Sequence, residues 1–239
     1  MDGERRDRLA REVLDGWISG PDATVEATAA ALARAESAQT VVLVEGISDQ
    51  LALETLARRQ GRDLEAEGIV IVPIGGAHAV ARYFARFGRE GAGLAVVGMC
   101  DAAEEEFFRR GLAAGGFGPA QNRIEMESLG FFVCDEDLED ELIRASDRVA
   151  IEALLDAQGD LGSFQTLGQQ PAWRQTDFEA QMHRWLGAGA RRKLRYAHLL
   201  VLSLDLDRMP LPLTAVLAAT SSPSRPAGRP ECPVGEGER

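Results

Sequence analysis

The sequence predicts an α/β protein with a central, mostly parallel sheet and helices on both faces. Three observations predict it. Four short apolar runs, residues 40–46 (TVVLVEG), 68–75 (GIVIVPIG), 93–101 (GLAVVGMCD) and 130–135 (GFFVCD), alternate with helical patterns. None of these runs alternates apolar with polar residues, as a half-exposed strand would, so both faces of the sheet are expected to be covered. The chain has 239 residues, 45% apolar and 27% charged, enough to bury one large core.

The elements follow in order. Residues 1–38 read as a helical extension. Leu9, Val13, Leu14 and Trp17 recur at helical spacing, Ser19-Gly20-Pro21-Asp22 breaks the run, and an alanine-rich helix covers 24–35. Residues 39–218 are expected to form the main domain. Its first strand ends at Glu45, and Ser48 is the expected N-cap of a helix with Leu51, Leu53 and Leu56 facing inward. The second strand ends in Gly75-Gly76 and leads into a helix over 77–87. The third ends at Asp101. The fourth ends in Asp135-Glu136-Asp137, where Asp137 is the expected N-cap of a helical stretch, 136–158, broken near Ser146. Residues 160–200 read as irregular but helical, and 197–204 (AHLLVLSL) fits helix or strand. Residues 219–239, rich in Pro, Gly and Ser, are expected to be a disordered tail.

Composition excludes several classes. No run of ~18 residues is apolar enough to span a membrane, and the N-terminus lacks the apolar core of a signal peptide. Three scattered cysteines without a CxxC pair point to a reducing cytoplasm and no structural zinc. A net charge of −12 makes a poor electrostatic partner for nucleic acid, unless the acids are gathered around metal ions. Of the 26 basic residues, 25 are Arg and one, Lys193, is Lys. A lone Lys in an Arg-rich chain is a candidate for a specific role.

Ligands in parallel sheets bind beyond the carboxyl ends of the strands, and there this sequence concentrates its acids. Glu45 and Asp49 flank the turn after the first strand, where both carboxylates could face one hard cation such as Mg²⁺. A capped helix with Glu45 in a salt bridge is the plainer alternative. Asp101 directly follows the third strand and could be a metal ligand or a phospho-acceptor. Glu104 follows it, heading a run that also reads as a solvated helix start. Asp137 and Glu139 sit at the start of the helix after the fourth strand, where the helix dipole favours acids whether or not they bind metal. Gly75-Gly76 could bring backbone close to a phosphate. Arg191, Arg192, Lys193 and Arg195 form the densest basic run, either a phosphate contact or an ion-paired helix face. His78, His183 and His198 show no metal-ligand spacing and read as structural.

Taken in order, VVLVEGISDQLALETLARR, GIVIVPIGG, LAVVGMCD, FFVCDEDLEDEL and GARRKLRYAH resemble a Toprim domain, and specifically the Toprim nuclease domain of the OLD (overcoming lysogenization defect) family endonucleases. The resemblance covers about residues 38–215. It implies a Toprim, Rossmann-like fold and a metal site made of Glu45, Asp49, Asp101 and Glu139, with Glu104 and Asp137 as further candidate ligands. It implies Glu45 and Lys193 as the catalytic pair and Gly75, Gly76, Arg191 and Arg192 as phosphate or nucleic-acid contacts. The implied cofactor is Mg²⁺ or Mn²⁺, as two ions, and the implied reaction is hydrolysis of nucleic acid, DNA before RNA. Two departures stand out. The family's Asp-x-Asp pair reads Asp101-Ala102-Ala103. OLD proteins also carry an ABC-type ATPase, but with one Lys, at 193, no Gly-x-x-x-x-Gly-Lys-Ser/Thr loop is possible here.

The expected partners are therefore nucleic acid, a separate ABC-type ATPase and a second copy of the chain, with no membrane. A degenerate Toprim module that binds metal or a protein without efficient cleavage is the alternative. A phospho-acceptor domain using Asp101 is a more distant one, leaving Lys193 and the Glu45–Asp49 pair unexplained. A topoisomerase would need a catalytic Tyr, and Tyr83 and Tyr196 lie in expected helices without such a context.

Overall fold

The apolar runs form a four-stranded parallel sheet in a computed structural model that describes residues 23–88 and 91–221. The expected helix around Leu9–Trp17 and the expected tail lie outside the described residues, apart from 219–221, which are helical. The elements run α1 (Ala23–Ala35), β1 (Thr40–Val44), α2 (Ile47–Arg59), β2 (Ile69–Pro73), α3 (Val80–Phe87), β3 (Ala95–Cys100), α4 (Glu105–Ala114), α5 (Arg123–Ser128), β4 (Phe131–Val133), α6 (Leu138–Ala145), α7 (Arg148–Ala157), α8 (Leu161–Gly168), α9 (Phe178–Gly187), α10 (Ala190–Ser203) and α11 (Leu211–Ser221). The stretch that fitted helix or strand belongs to α10 through Ser203, and Ser146 separates α6 from α7 as expected.

The strand order is β2-β1-β3-β4, with Thr40 opposite Ile69 on one side and Ala95 on the other. Strand periodicity sends alternate side chains of β1 into two cores. Val42 and Val44 join Leu53 and Leu56 of α2 and residues of α6 to α11, while Val41 and Leu43 join Val80 and Phe84 of α3 and residues of α1, α4 and α5. That two-sided burial is why the strands read as unbroken apolar runs. Each fully buried Val or Leu contributes roughly 1.5–3 kcal/mol, so the sheet is the stable platform.

Right-handed crossovers explain which helix lies on which face. The chain leaves β1 in one direction through α2 to β2, then returns past β1 through α3 on the opposite face to reach β3. The connections leaving β1 towards β2 and leaving β3 towards β4 diverge, opening a crevice at the carboxyl ends of these two central strands. Glu45 follows β1 and Asp101 follows β3, one on each lip. Loops are stitched together there by backbone hydrogen bonds. Gly75 N–H donates to the Glu45 carbonyl (3.0 Å), Cys134 N–H to Cys100 (2.9 Å) and Ala102 N–H to Glu136 (2.9 Å).

Candidate metal centre

The β1–α2 turn fixes the first two acids. Gly46, in extended backbone, is the N-cap of α2, so the expected cap, Ser48, is already inside the helix and buried. Asp49, at the third helical position, accepts a hydrogen bond from Gly46 N–H at 2.8 Å. A carboxylate in the first turn also meets the positive end of the helix dipole. Asp49 is nonetheless buried, and its pKa is pushed up to about 7, first by loss of solvent and then by the neighbouring charge of Glu139, against the opposing pull of the Gly46 bond.

Asp101 faces Glu45 across the switch point. Burial raises its pKa well above the carboxylate range, and the charges of Asp49, Glu45 and Asp137 push it further; its side chain also shares a hydrogen bond with Glu45. Two carboxyl groups so close cannot both ionise freely without a cation between or beside them. Ala103, where the family pattern has a second Asp, is exposed. Glu104 closes the 3-10 turn Ala102–Glu104 after Asp101 and is half-buried.

The β4–α6 turn brings the third group. Asp137 caps α6 as expected, accepting from Asp140 N–H at 2.8 Å, and its other oxygen meets His183 Nε2 at 2.7 Å. Both oxygens are thus engaged by protein groups. Glu139 lies in the first turn of α6, with its side chain 4% exposed, and Lys193 Nζ stands 2.7 Å from its Oε2. Burial raises the Glu139 pKa and Lys193 opposes that; for Lys193, burial works against the ammonium but the Glu139 carboxylate outweighs it, and the net shift is upward. We read the pair as carboxylate and ammonium.

Lys193 reaches this place from the first turn of α10. Cations there face the unfavourable end of the helix dipole, so each needs a local reason. Lys193 has Glu139. Arg192 donates to the Trp185 carbonyl (2.7 Å) with its guanidinium 3.9 Å over the Trp185 ring, closing the end of α9. Arg195 pairs with Asp160, which also accepts from Tyr196. Arg191 is exposed. α10 is held against α2 by Thr55–His198 (2.7 Å) and by Arg59, which donates to the Val201 and Leu204 carbonyls at 2.5 and 2.6 Å. The helices carrying Asp49 and Lys193 are therefore one rigid pair.

The fold brings Glu45, Asp49, Asp101, Glu139 and Lys193 to one edge, with Asp137 beside them. Gly75 (φ +72°) and Gly76 (φ +107°) take left-handed backbone at the end of β2, and a Cβ on Gly76 would meet nothing within 4 Å, so the turn is open to a ligand. Arg192 and Arg195 are occupied in packing the helical region. The sequence reading missed His183, whose spacing signalled nothing; it finds Asp137 across 46 residues. Tyr83 and Tyr196 are buried, in keeping with a site that uses no Tyr nucleophile.

Does this donor set fit a divalent metal? Among the described residues no three His, Cys, Asp or Glu are already gathered as a metal cluster. Two carboxylate oxygens, Glu45 Oε2 and Glu139 Oε1, are buried without a hydrogen-bond partner. Such orphaned oxygens are costly unless a cation takes them up. Hard oxygen donors, with Asp49, Asp101 and Glu139 held at raised pKa by burial, fit Mg²⁺ or Mn²⁺.

A parallel sheet of this order, with acids on both lips of its switch point, has the architecture of a Toprim domain. Residues 38–102 match the family described as overcoming lysogenization defect protein-like, TOPRIM domain. That span contains Glu45, Asp49, Gly75, Gly76 and Asp101 and stops short of Glu139 and Lys193. The fold is similar to the C-terminal region of the Xanthomonas campestris pv. campestris OLD protein (TM-score 0.63, 21% identity, 79% of this chain and 95% of that one). It is also similar to the C-terminal region of the Burkholderia pseudomallei OLD protein (TM-score 0.57, 18% identity, 77% and 98%). No curated protein gives a significant match. Toprim domains generally bind divalent metal ions, and the match over residues 38–102 suggests a nuclease-type, metal-dependent family. Among the described residues no helix is long and apolar enough to cross a membrane.

Proposed function

We propose that this protein is a metal-dependent phosphodiesterase acting on nucleic acid, an OLD-type endonuclease. One observation carries the reading: three carboxyl groups, Glu45, Asp49 and Asp101, lie within electrostatic reach of one another at the ends of β1 and β3, with only the more distant field of Lys193 to offset them. Among the described residues, no ion pair joins any of them to Arg, Lys or His, while Lys193 is fixed on Glu139.

Glu45 and Asp49 would hold one divalent ion, and Asp101 and Glu139 would hold or share a second, with Glu104 as a supplementary donor. Bound there, such ions supply Lewis-acid polarisation of a phosphate and lower the pKa of a water. The protein's part is positional and electrostatic. Gly46 N–H orients the Asp49 carboxylate. Glu139 orients the Lys193 ammonium, which is kept protonated and can stabilise negative charge developing on a phosphoryl oxygen. Gly75-Gly76 leaves room for backbone to approach a phosphate. No residue needs to act as a covalent nucleophile.

DNA is the proposed substrate, the cytoplasm the proposed location, and an ABC-type ATPase and a second copy of the chain the proposed partners. The alternative, a module that binds metal or a partner without efficient cleavage, draws on Ala103, which leaves the Asp-x-Asp pattern one carboxylate short. Nicking of supercoiled plasmid with Mg²⁺ or Mn²⁺ decides between them. Metal-dependent nicking by wild type, lost in Glu45→Gln and Lys193→Ala, supports the nuclease. Absence of nicking, or nicking that both variants retain, supports the alternative.

A further inference from the structure

We infer that His78, Phe107 and Arg110 form a stacking platform for an unpaired base, so that the substrate is presented to the acidic edge as a single or locally opened strand. This deepens the nuclease reading and rests on it.

The platform joins the connections that follow β2 and β3, at the carboxyl edge of the sheet. His78 lies in the 3-10 turn Ala77–Ala79 that follows Gly75-Gly76, and Phe107 lies in the first turn of α4, six residues beyond Asp101. Their rings meet at 4.3 Å between centroids and 68°, an edge-to-face contact. The Arg110 guanidinium sits 5.0 Å over the Phe107 ring. Phe107 is half-buried against the core formed with α1, α3, α4 and α5, which braces the group. His78 is exposed, and the Arg110 side chain is 63% exposed, with a long contact to Glu106 at 3.8 Å. Two planar groups, an imidazole and a guanidinium, thus face solvent next to the glycine turn.

Charge selects the ligand class. A chain of net charge −12 gains little from neutralising a long run of phosphates. Stacking on aromatic rings and guanidinium planes needs no net positive charge and accepts any base. A base inside a duplex offers no free face, so the group suits unpaired nucleotides. On the other side of the same loop, Gly75 borders a cleft of about 640 Å³ whose lining includes Arg82, Arg86, Thr24 and Thr28. These groups can take one or two phosphates of a strand leaving the platform.

The test is fluorescence anisotropy with a labelled oligothymidylate and with a blunt duplex of equal length, in Ca²⁺ to hold back cleavage. Wild type should bind the single strand more tightly. His78→Ala and Phe107→Ala should each weaken that binding about five-fold or more, with the duplex little changed and Phe107→Tyr close to wild type. His78→Ala guards against misfolding, because its site is exposed. Equal binding of the two forms by wild type, no effect of either alanine, or equal losses on both forms would overturn the platform. Glu45→Gln keeps the two readings apart. Single-strand binding that survives in it without nicking in wild type removes only the nuclease, and nicking without single-strand preference removes only the platform.

Discussion

Two sets of acids share one edge of this sheet, and they are treated in opposite ways. On the rim, Glu105 meets Arg123 (2.9 Å), Asp140 meets Arg144 (2.7 Å), Asp135 meets Arg144 (3.1 Å) and Glu141 meets Arg144 (3.2 Å). In the crevice, Glu45 and Asp101 share a hydrogen bond with each other, and Asp49 has only a backbone N–H and the more distant field of Lys193. Both sets are acids near helix starts. Among the described residues the rim acids have arginines and the crevice acids do not, although arginine is abundant in the chain. The difference supports the proposal that the crevice takes up a charge from outside the polypeptide. It also shows that acidity alone identifies nothing; what marks a site is acidity left uncompensated under burial.

The largest expected effect is on catalysis. Glu45→Gln or Asp101→Asn should reduce plasmid nicking by about a thousand-fold or more, a loss of roughly 4 kcal/mol of transition-state stabilisation. Lys193→Ala should do likewise, with its Mn²⁺ affinity retained.

The next effect is on stability, and its sign is unusual. An acid whose folded-state pKa is raised favours the fold when protonated and opposes it when ionised. For Asp49, with its pKa near 7, metal-free stability should therefore fall as pH rises from about 4 to about 7. Asp49→Asn should raise the metal-free Tm at pH 8 by about 4–8 °C, equivalent to ~2 kcal/mol, and should reduce the stabilisation by Mg²⁺ seen in wild type. Thermal melts across pH, with and without Mg²⁺, check both. A melt curve that is flat in pH would break the comparison.

A gain should follow from completing the family pattern. Ala103 is exposed beside Asp101, so Ala103→Asp costs little packing and adds a hard ligand. Nicking at low Mg²⁺ should rise several-fold. The smallest effect belongs to the rim. Asp140→Asn breaks an exposed pair worth about 0.2–1 kcal/mol and should leave nicking unchanged.

Much of this was legible in the sequence, for identifiable reasons. The strands stand out because burial on both faces demands unbroken apolar runs, and because Gly68 and Gly130, both at positive φ, mark where strands begin. Asp137 was recognisable as a cap because capping is local. Ser48 misled for the same reason, since Gly46 and Asp49 close that helix end. What could not be read is anything spanning tens of residues. Glu139 meets Lys193 across 54 positions of chain, and whether Arg192 serves a substrate or Trp185 depends on how α9 and α10 pack. The resemblance named Lys193, but only the fold shows that its partner is Glu139.

The central claim is that a divalent cation is the missing counter-charge of Glu45, Asp49 and Asp101. Mn²⁺ binding, followed by calorimetry or by the loss of the free-ion electron paramagnetic resonance signal, tests it most directly. Wild type and Asp140→Asn should bind Mn²⁺ with similar affinity, and Glu45→Gln and Asp101→Asn should each weaken it ten-fold or more, about 1.4 kcal/mol. Binding that is absent in wild type, or unchanged by both crevice substitutions, would contradict the account.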